Sequence, residues 1–251
     1  MIRRVKNLLR PVKQRVLLCW RKISTAIKSR LYKEILVLGD SHVMVFESVQ
    51  FKNTFPQLFF NTICVQGATA SGLDNPNSRT QAYPIFRESL EKYKGDTVIM
   101  MLGEVDTGFV IWYRAQKYGI CVDEALVTAV DTYGELLKSI AKKYNLMCVS
   151  TPLPTIRDDD DRGEIANLRK EIRASQRERT ELTLKFNELI GNVCEACGGK
   201  YVSLDETSMA KNGLVKDELL NSDKLDHHYD KEAHAALIIS YIKKYSIIKF
   251  E

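Results

Sequence analysis

No stretch of the 251-residue chain approaches the ~20 consecutive apolar residues that a membrane-spanning helix needs. The longest early apolar run, Val16-Leu17-Leu18-Cys19-Trp20, stops at Arg21-Lys22. That is too short for a signal-peptide core, so the chain is read as one that is not secreted. No repeat with a period of about 20–50 residues is visible, which excludes a solenoid. With 45% hydrophobic and 27% charged residues the chain has the apolar content for a core, so a disordered chain is excluded too. Its length fits one large or two small globular domains.

Acidic residues are missing altogether from positions 1–33, which carry eleven Lys and Arg. The formal net charge of +5 therefore belongs to this segment; the rest holds 26 of the 37 basic residues against all 32 acidic ones. A mildly acidic body argues against nucleic acid as a partner, because phosphate contacts need clustered positive charge. Within the basic segment, Ile2, Val5, Leu9, Val12, Val16, Trp20, Ile23, Ile27 and Leu31 recur every three or four residues. This is the stripe of an amphipathic helix, with Pro11 splitting or kinking it. Such a helix can lie in an anionic membrane interface, dock on a partner protein or pack on its own domain. The lack of any acidic residue favours the membrane. The expected location is cytoplasmic, with peripheral attachment at the inner membrane face, and the expected division is a basic arm, 1–33, and a body, 34–251.

Six cysteines are even in number, but in a chain this large without a secretory signal they read as reduced thiols. Cys194-x-x-Cys197 has no second pair or His partner at zinc-ligand spacing. It reads as two small apolar residues near a helix end closed by Gly198-Gly199, so no metal is expected.

After Tyr32 strands and helices alternate. Short apolar runs at Glu34–Gly39, Phe59–Val65, Thr97–Leu102, Leu146–Ser150 and Tyr201–Leu204 suit strands buried on both faces. Helical patterns fall over 81–93, 122–143, 163–196 and 230–245, the third opening on the acidic Asp158–Asp161. The fold class is α/β: a three-layer sandwich with a central, mostly parallel five-stranded sheet between helices. Ligands in such sheets sit at the carboxyl ends of the strands, where Gly39-Asp40-Ser41, Gly67 and Gly103 all fall.

Ser41 is the candidate nucleophile, and a serine hydroxyl needs an adjacent base oriented by a carboxylate. Only four histidines are available, and three lie in Asp226-His227-His228-Tyr229-Asp230-Lys231-Glu232-Ala233-His234, before the last helix. Asp230 is a natural N-cap there. His227 is read as a flanking loop residue and His234 as a helix-surface residue.

Val37-Leu38-Gly39-Asp40-Ser41, Gly67 after the second strand and the closing His228-Tyr229-Asp230 together resemble the blocks of the SGNH/GDSL hydrolase superfamily, over residues 34 to about 245. The resemblance implies an SGNH/flavodoxin-like fold, Ser41 as nucleophile, His228 as general base, and the amides of Ser41 and Gly67 as oxyanion donors, without metal or cofactor. Two departures stand out. The third block of the family reads Gly-x-Asn-Asp, whereas here it is Gly103-Glu104-Val105-Asp106, and a valine side chain cannot donate. This Gly-Glu-hydrophobic-Asp version resembles a branch associated with bacterial surface-polysaccharide loci. The family acid lies three residues before its histidine, where this chain has Leu225; Asp226 is the nearer candidate and Asp223 the alternate.

Asp40, His42, Glu104 and Asp106 are placed as substrate contacts around the cleft, although Glu104 and Asp106 also suit structural carboxylates satisfied by loop N–H groups. Trp112 and Tyr113 read as a sugar-stacking wall or as core. The row Arg169, Arg173, Arg177 suits an anionic glycan or, with its Glu neighbours, a solvated face. The reading is a serine-dependent esterase or acyltransferase acting on an O-acyl group, foremost acetyl, of a carbohydrate. The alternative is an SGNH-like glycan-binding or scaffolding module, weakened by Val105, in a membrane-associated assembly.

Overall fold

The computed structural model describes residues 32–158 and 172–245. The basic arm lies outside them except for Tyr32 and Lys33, as do Arg169 and the first part of the helix expected from 163. No helix among the described residues is long and apolar enough to cross a membrane.

Five strands, β1 (Lys33–Gly39), β2 (Leu58–Cys64), β3 (Thr97–Met101), β4 (Asn145–Val149) and β5 (Lys200–Val202), form one sheet in the order β2-β1-β3-β4-β5. Every pairing is parallel, from Lys33 opposite Leu58 to Val149 opposite Val202. The apolar runs bury both faces by alternation. Leu36, Leu38, Val98, Met100, Leu146 and Cys148 enter one core; Ile35, Val37, Ile99, Met101, Met147 and Val149 enter the other.

Helices cover each face. On the first lie α2 (Ala82–Lys92), α3 (Ile111–Tyr118), α4 (Val122–Ala141) and α5 (Gln176–Ala196). Buried positions in α4, including Leu126, Ala129, Val130, Tyr133, Leu137 and Ile140, keep the three-to-four spacing that makes it a helix. On the second face lie a 3-10 helix (Ser41–Glu47), α1 (Val49–Thr54) and α6 (Lys231–Tyr245). Each fully buried Leu, Ile or Phe contributes about 1.5–3 kcal/mol of hydrophobic transfer.

The α5 helix starts at Gln176 because Ser175 and Glu178 close a reciprocal capping box there. Asp158 still serves that terminus from a distance: its Oδ1 accepts from the Gln176 amide at 2.5 Å. The Cys194–Cys197 end behaves as a helix stop, with the Gly199 amide donating to the Cys194 carbonyl (2.8 Å) and Gly198 at φ +84°.

The chain leaves β1 for β2 on one side and returns to β3 on the other. The crevice between the carboxyl ends of β1 and β3 is therefore the topological switch point, where such sheets take their ligands.

Candidate active site

Gly39 ends β1 against β3. A Cβ there would sit 1.9 Å from the Met101 carbonyl oxygen and 2.5 Å from Val43 Cγ1, so no larger residue lets the chain turn at this point. Asp40 follows in extended conformation as N-cap of the 3-10 helix, its side chain accepting from the His42 amide at 2.9 Å. Ser41 is the first residue of that helix, so its own amide has no intrahelical acceptor. Gly67 sits in the turn after β2 with φ +70°, a conformation that strains any residue with a Cβ. Among the described residues neither the Ser41 nor the Gly67 amide donates to a protein acceptor.

The opposite wall is the loop before α6. Buried Tyr229 anchors it: its hydroxyl accepts from the Leu153 amide at 2.8 Å, within a small cluster of Leu153, Val215 and Leu219. The Asp230 amide donates to the Leu219 carbonyl (2.8 Å), and Thr155 Oγ1 donates to the His227 carbonyl (2.5 Å). Asp230 caps α6 as its type and place predict, Oδ1 accepting from the Glu232 and Ala233 amides at 3.1 and 2.9 Å. Three anchors thus fix the backbone on both sides of His228.

His228 Nε2 lies 2.7 Å from Ser41 Oγ, and His228 Nδ1 lies 2.5 Å from Asp226 Oδ1. The same Oδ1 accepts from the His228 amide at 2.9 Å, while Oδ2 accepts from Asn221 Nδ2 at 3.0 Å. Partial burial works to raise the Asp226 pKa, but the His228 amide and ring, with His227, outweigh it and hold the carboxyl below the usual carboxylate range. An ionised carboxylate only accepts, so Nδ1 carries the imidazole proton and Nε2 turns its lone pair to the Ser41 hydroxyl. This arrangement can draw a proton from Ser41 while a carbonyl carbon is attacked.

Of the two acids open from the sequence, the structure brings Asp226 to His228. Asp223 accepts from the Leu225 amide at 2.9 Å, inside its own turn. The two-residue offset has a local cause: one carboxylate oxygen bonds both the amide and the ring of the residue two on, which is an Asx turn.

The other expected contacts are placed differently. Asp106 is fully buried, with Oδ2 accepting from the Ala70 amide (2.6 Å) and Oδ1 from the Ser71 amide (3.0 Å). It ties the loop after Gly67 to the third block, as a structural carboxylate would, and burial pushes its pKa up to about 6. Asp40 and Glu104 are buried as well. His42 is buried with Nδ1 3.1 Å from Asp40 Oδ1, its ring centroid 4.6 Å from that of His228. His234 is also corrected: it is buried, not on the helix surface, and burial, then the nearby His42 and His228, push its pKa down to about 3. Trp112 packs on the core with Nε1 donating to the Thr107 carbonyl (2.8 Å), and Tyr113 stacks on Phe109. Val105 sits in the helical turn entering the π-helical segment Asp106–Val110, and its side chain offers no donor. Asn221, which orients Asp226, carries no signal in the sequence.

No protein-family profile and no curated protein matches the sequence. Solved structures do match in fold. A GDSL-like lipase from Bacteroides thetaiotaomicron aligns at 16% identity over 90% of this chain and 96% of its own, with a TM-score of 0.53. An extracellular lipase from Streptomyces rimosus aligns at 11% identity over 84% and 99%, with a TM-score of 0.52. An acetyl xylan esterase aligns at 11% identity over 86% and 100%, with a TM-score of 0.50. The chain has the fold of the SGNH/GDSL hydrolases.

Proposed function

We propose that this protein is a serine-dependent esterase or O-acyltransferase acting on acyl esters, foremost acetyl esters, of a carbohydrate. The observation that carries this reading is the continuous hydrogen-bonded chain from Ser41 Oγ through His228 to Asp226. Ser41 attacks the acyl carbonyl carbon while His228 Nε2 takes its proton, and Asp226 stabilises the imidazolium that forms. The amides of Ser41 and Gly67 receive the oxyanion. His228 then returns the proton to the departing sugar oxygen. Water or a second sugar hydroxyl, deprotonated by the same histidine, releases the acyl group from Ser41. The acetyl xylan esterase among the structures of like fold supports an acetylated carbohydrate as substrate.

Val105 sets the expected rate. Losing one oxyanion donor costs about 100- to 1000-fold, so turnover is slow beside a site with three donors. A Val105→Asn variant is expected to be faster.

Labelling with a fluorophosphonate probe tests the reading. Wild type is expected to label, and Ser41→Ala and His228→Ala are not. A folded wild type that stays unlabelled overturns it and leaves the glycan-binding module. Adding a sugar acceptor then separates transferase from hydrolase, according to whether acyl groups appear on the sugar or only in water. The basic segment 1–33 is proposed to hold the protein on anionic membrane surfaces; equal flotation with anionic liposomes by the full chain and a chain lacking 1–31 would refute this.

A further inference from the structure

All four histidines of the chain cluster at the candidate site. His227 and His228 ring centroids are 4.2 Å apart, His42 lies 4.6 Å from His228, and His42 and His228 act electrostatically on the buried His234. Only part of this group is open to solvent. The side chains of Asp226 and His228 are 40% and 30% exposed, those of Asp40 and His42 only 1% and 3%. Among the described residues Asp226, His227 and His228 are also the one group whose ligand atoms could hold a metal ion, all lying within 4.8 Å of one another.

We propose that Asp226, His227 and His228 form a capture site for a divalent transition-metal ion of the zinc class, and that the captured ion switches the candidate active site off. Two imidazoles and a carboxylate are donors that suit zinc, whereas magnesium and calcium prefer oxygen alone. Zinc bonds of about 2.0–2.1 Å in a tetrahedron place donor atoms about 3.3 Å apart. Pairs up to 4.8 Å apart must therefore close by at most about 1.5 Å, and Asp226 Oδ1 and His228 Nδ1, 2.5 Å apart, must open by about 0.8 Å, movements within reach of half-exposed side chains on a loop. Water fills the fourth position from the solvent side.

The switch follows from counting protons on one ring. Without metal, neutral His228 carries its single N–H on Nδ1, donated to Asp226, and Nε2 accepts from Ser41. An ion bonded through the Nδ1 lone pair forces that proton onto Nε2. The ring stays neutral and no net proton is lost, but Nε2 now donates and can no longer take the Ser41 proton. Asp226, drawn to the ion, also stops orienting the ring. His227 contributes a ligand without belonging to the proton-transfer chain, which makes it the residue that separates the two roles.

Binding is independent of the esterase reading, while the loss of activity rests on it. The test uses the full chain and zinc chloride in two measurements. Calorimetry follows zinc binding to wild type and to His227→Ala; fluorophosphonate labelling of both is followed against zinc, magnesium and a final excess of chelator. The expected result is zinc-dependent loss of labelling in wild type, restored by the chelator and absent with magnesium. His227→Ala, its labelling read against its own metal-free level, is expected to need about tenfold or more zinc for both binding and inhibition. Equal zinc affinity in the two proteins overturns the site, as does full labelling of wild type saturated with zinc. If wild type does not label even without metal, the esterase reading fails, and calorimetry alone still decides the metal site.

Discussion

Two Asp-x-His units meet at the carboxyl end of the sheet, Asp40-Ser41-His42 and Asp226-His227-His228, and both are Asx turns. In each, the aspartate Oδ1 accepts from the amide two residues on at 2.9 Å and lies beside that residue's Nδ1, at 3.1 Å in the first and 2.5 Å in the second. Their surroundings differ. The inner unit is buried and its aspartate caps a helix, so it fixes where the backbone of Ser41 stands. The outer unit is half-open, and its histidine faces the Ser41 hydroxyl. One local geometry thus serves as scaffold in the first case and orients the proposed base in the second, and burial separates the two. Ser41 bonds the histidine 187 positions away, not its neighbour His42, because consecutive residues on a helix point in different directions.

Breaking the outer unit should cost most. Asp226→Asn replaces an obligatory acceptor with an amide that can donate to Nδ1, and this favours the wrong tautomer. The expected loss is about 10³- to 10⁴-fold in kcat/KM, with the unfolding midpoint in urea almost unchanged. A fall of less than tenfold would show that Asp226 does not orient the base.

Breaking the inner unit should act on stability first. Asp40→Ala removes a helix cap and leaves the buried His42 ring without its carboxylate, at a combined cost of about 2–3 kcal/mol in chemical denaturation. A cost under about 0.5 kcal/mol would remove the scaffold role.

The buried imidazole of His234 sharpens the contrast through pH. Its folded pKa, about 3, lies below the ordinary value of 6.5, so the folded state holds it neutral while the unfolded chain takes up a proton. Its contribution is fully present above pH 6.5 and is lost as pH falls toward 3. By pH 5 the loss amounts to about 2 kcal/mol. His234→Leu should narrow the gap in unfolding free energy between pH 7.5 and pH 5 by about that amount; an unchanged gap would show that His234 is not the group responsible. The smallest effect is expected from Asp223→Ala, which should leave activity within about twofold and stability within about 0.5 kcal/mol. A large loss of activity there would return the role of triad acid to Asp223.

Much of the fold was legible because it is written in short-range patterns. The apolar runs beginning at Glu34, Phe59, Thr97, Leu146 and Tyr201 are strands to within about two residues, and the α4 stripe is a helix. The 3-10 helix at Ser41 and the helical stretch through Asp106–Tyr118 were not read, because neither keeps a clean apolar period over enough turns. The start of α5 went to the capping box at Ser175 rather than to the acidic run beginning at Asp158.

The candidate site divides in the same way. Ser41 could be marked as a candidate because a strand followed by Gly-Asp-Ser is a local pattern, whereas Gly67 and His228 were marked through the resemblance to the SGNH/GDSL blocks. The choice between Asp226 and Asp223 depended on an Asx turn inside a loop, and Asn221 carried no signal at all. Asp40, His42, Glu104 and Asp106 are chemically able to meet a substrate, and all four are buried.

The sequence by itself determined most of which residues form strands and helices, which faces they bury and which side chains carry nucleophilic or acid–base groups, because each depends on residue type and on neighbours a few positions away. Only the tertiary structure decided which polar groups reach solvent, and only it brought Ser41 and His228 within hydrogen-bonding distance. Those outcomes depend on strand order and on loops brought together from residues 40, 67, 106 and 228, and no local spacing encodes such distances.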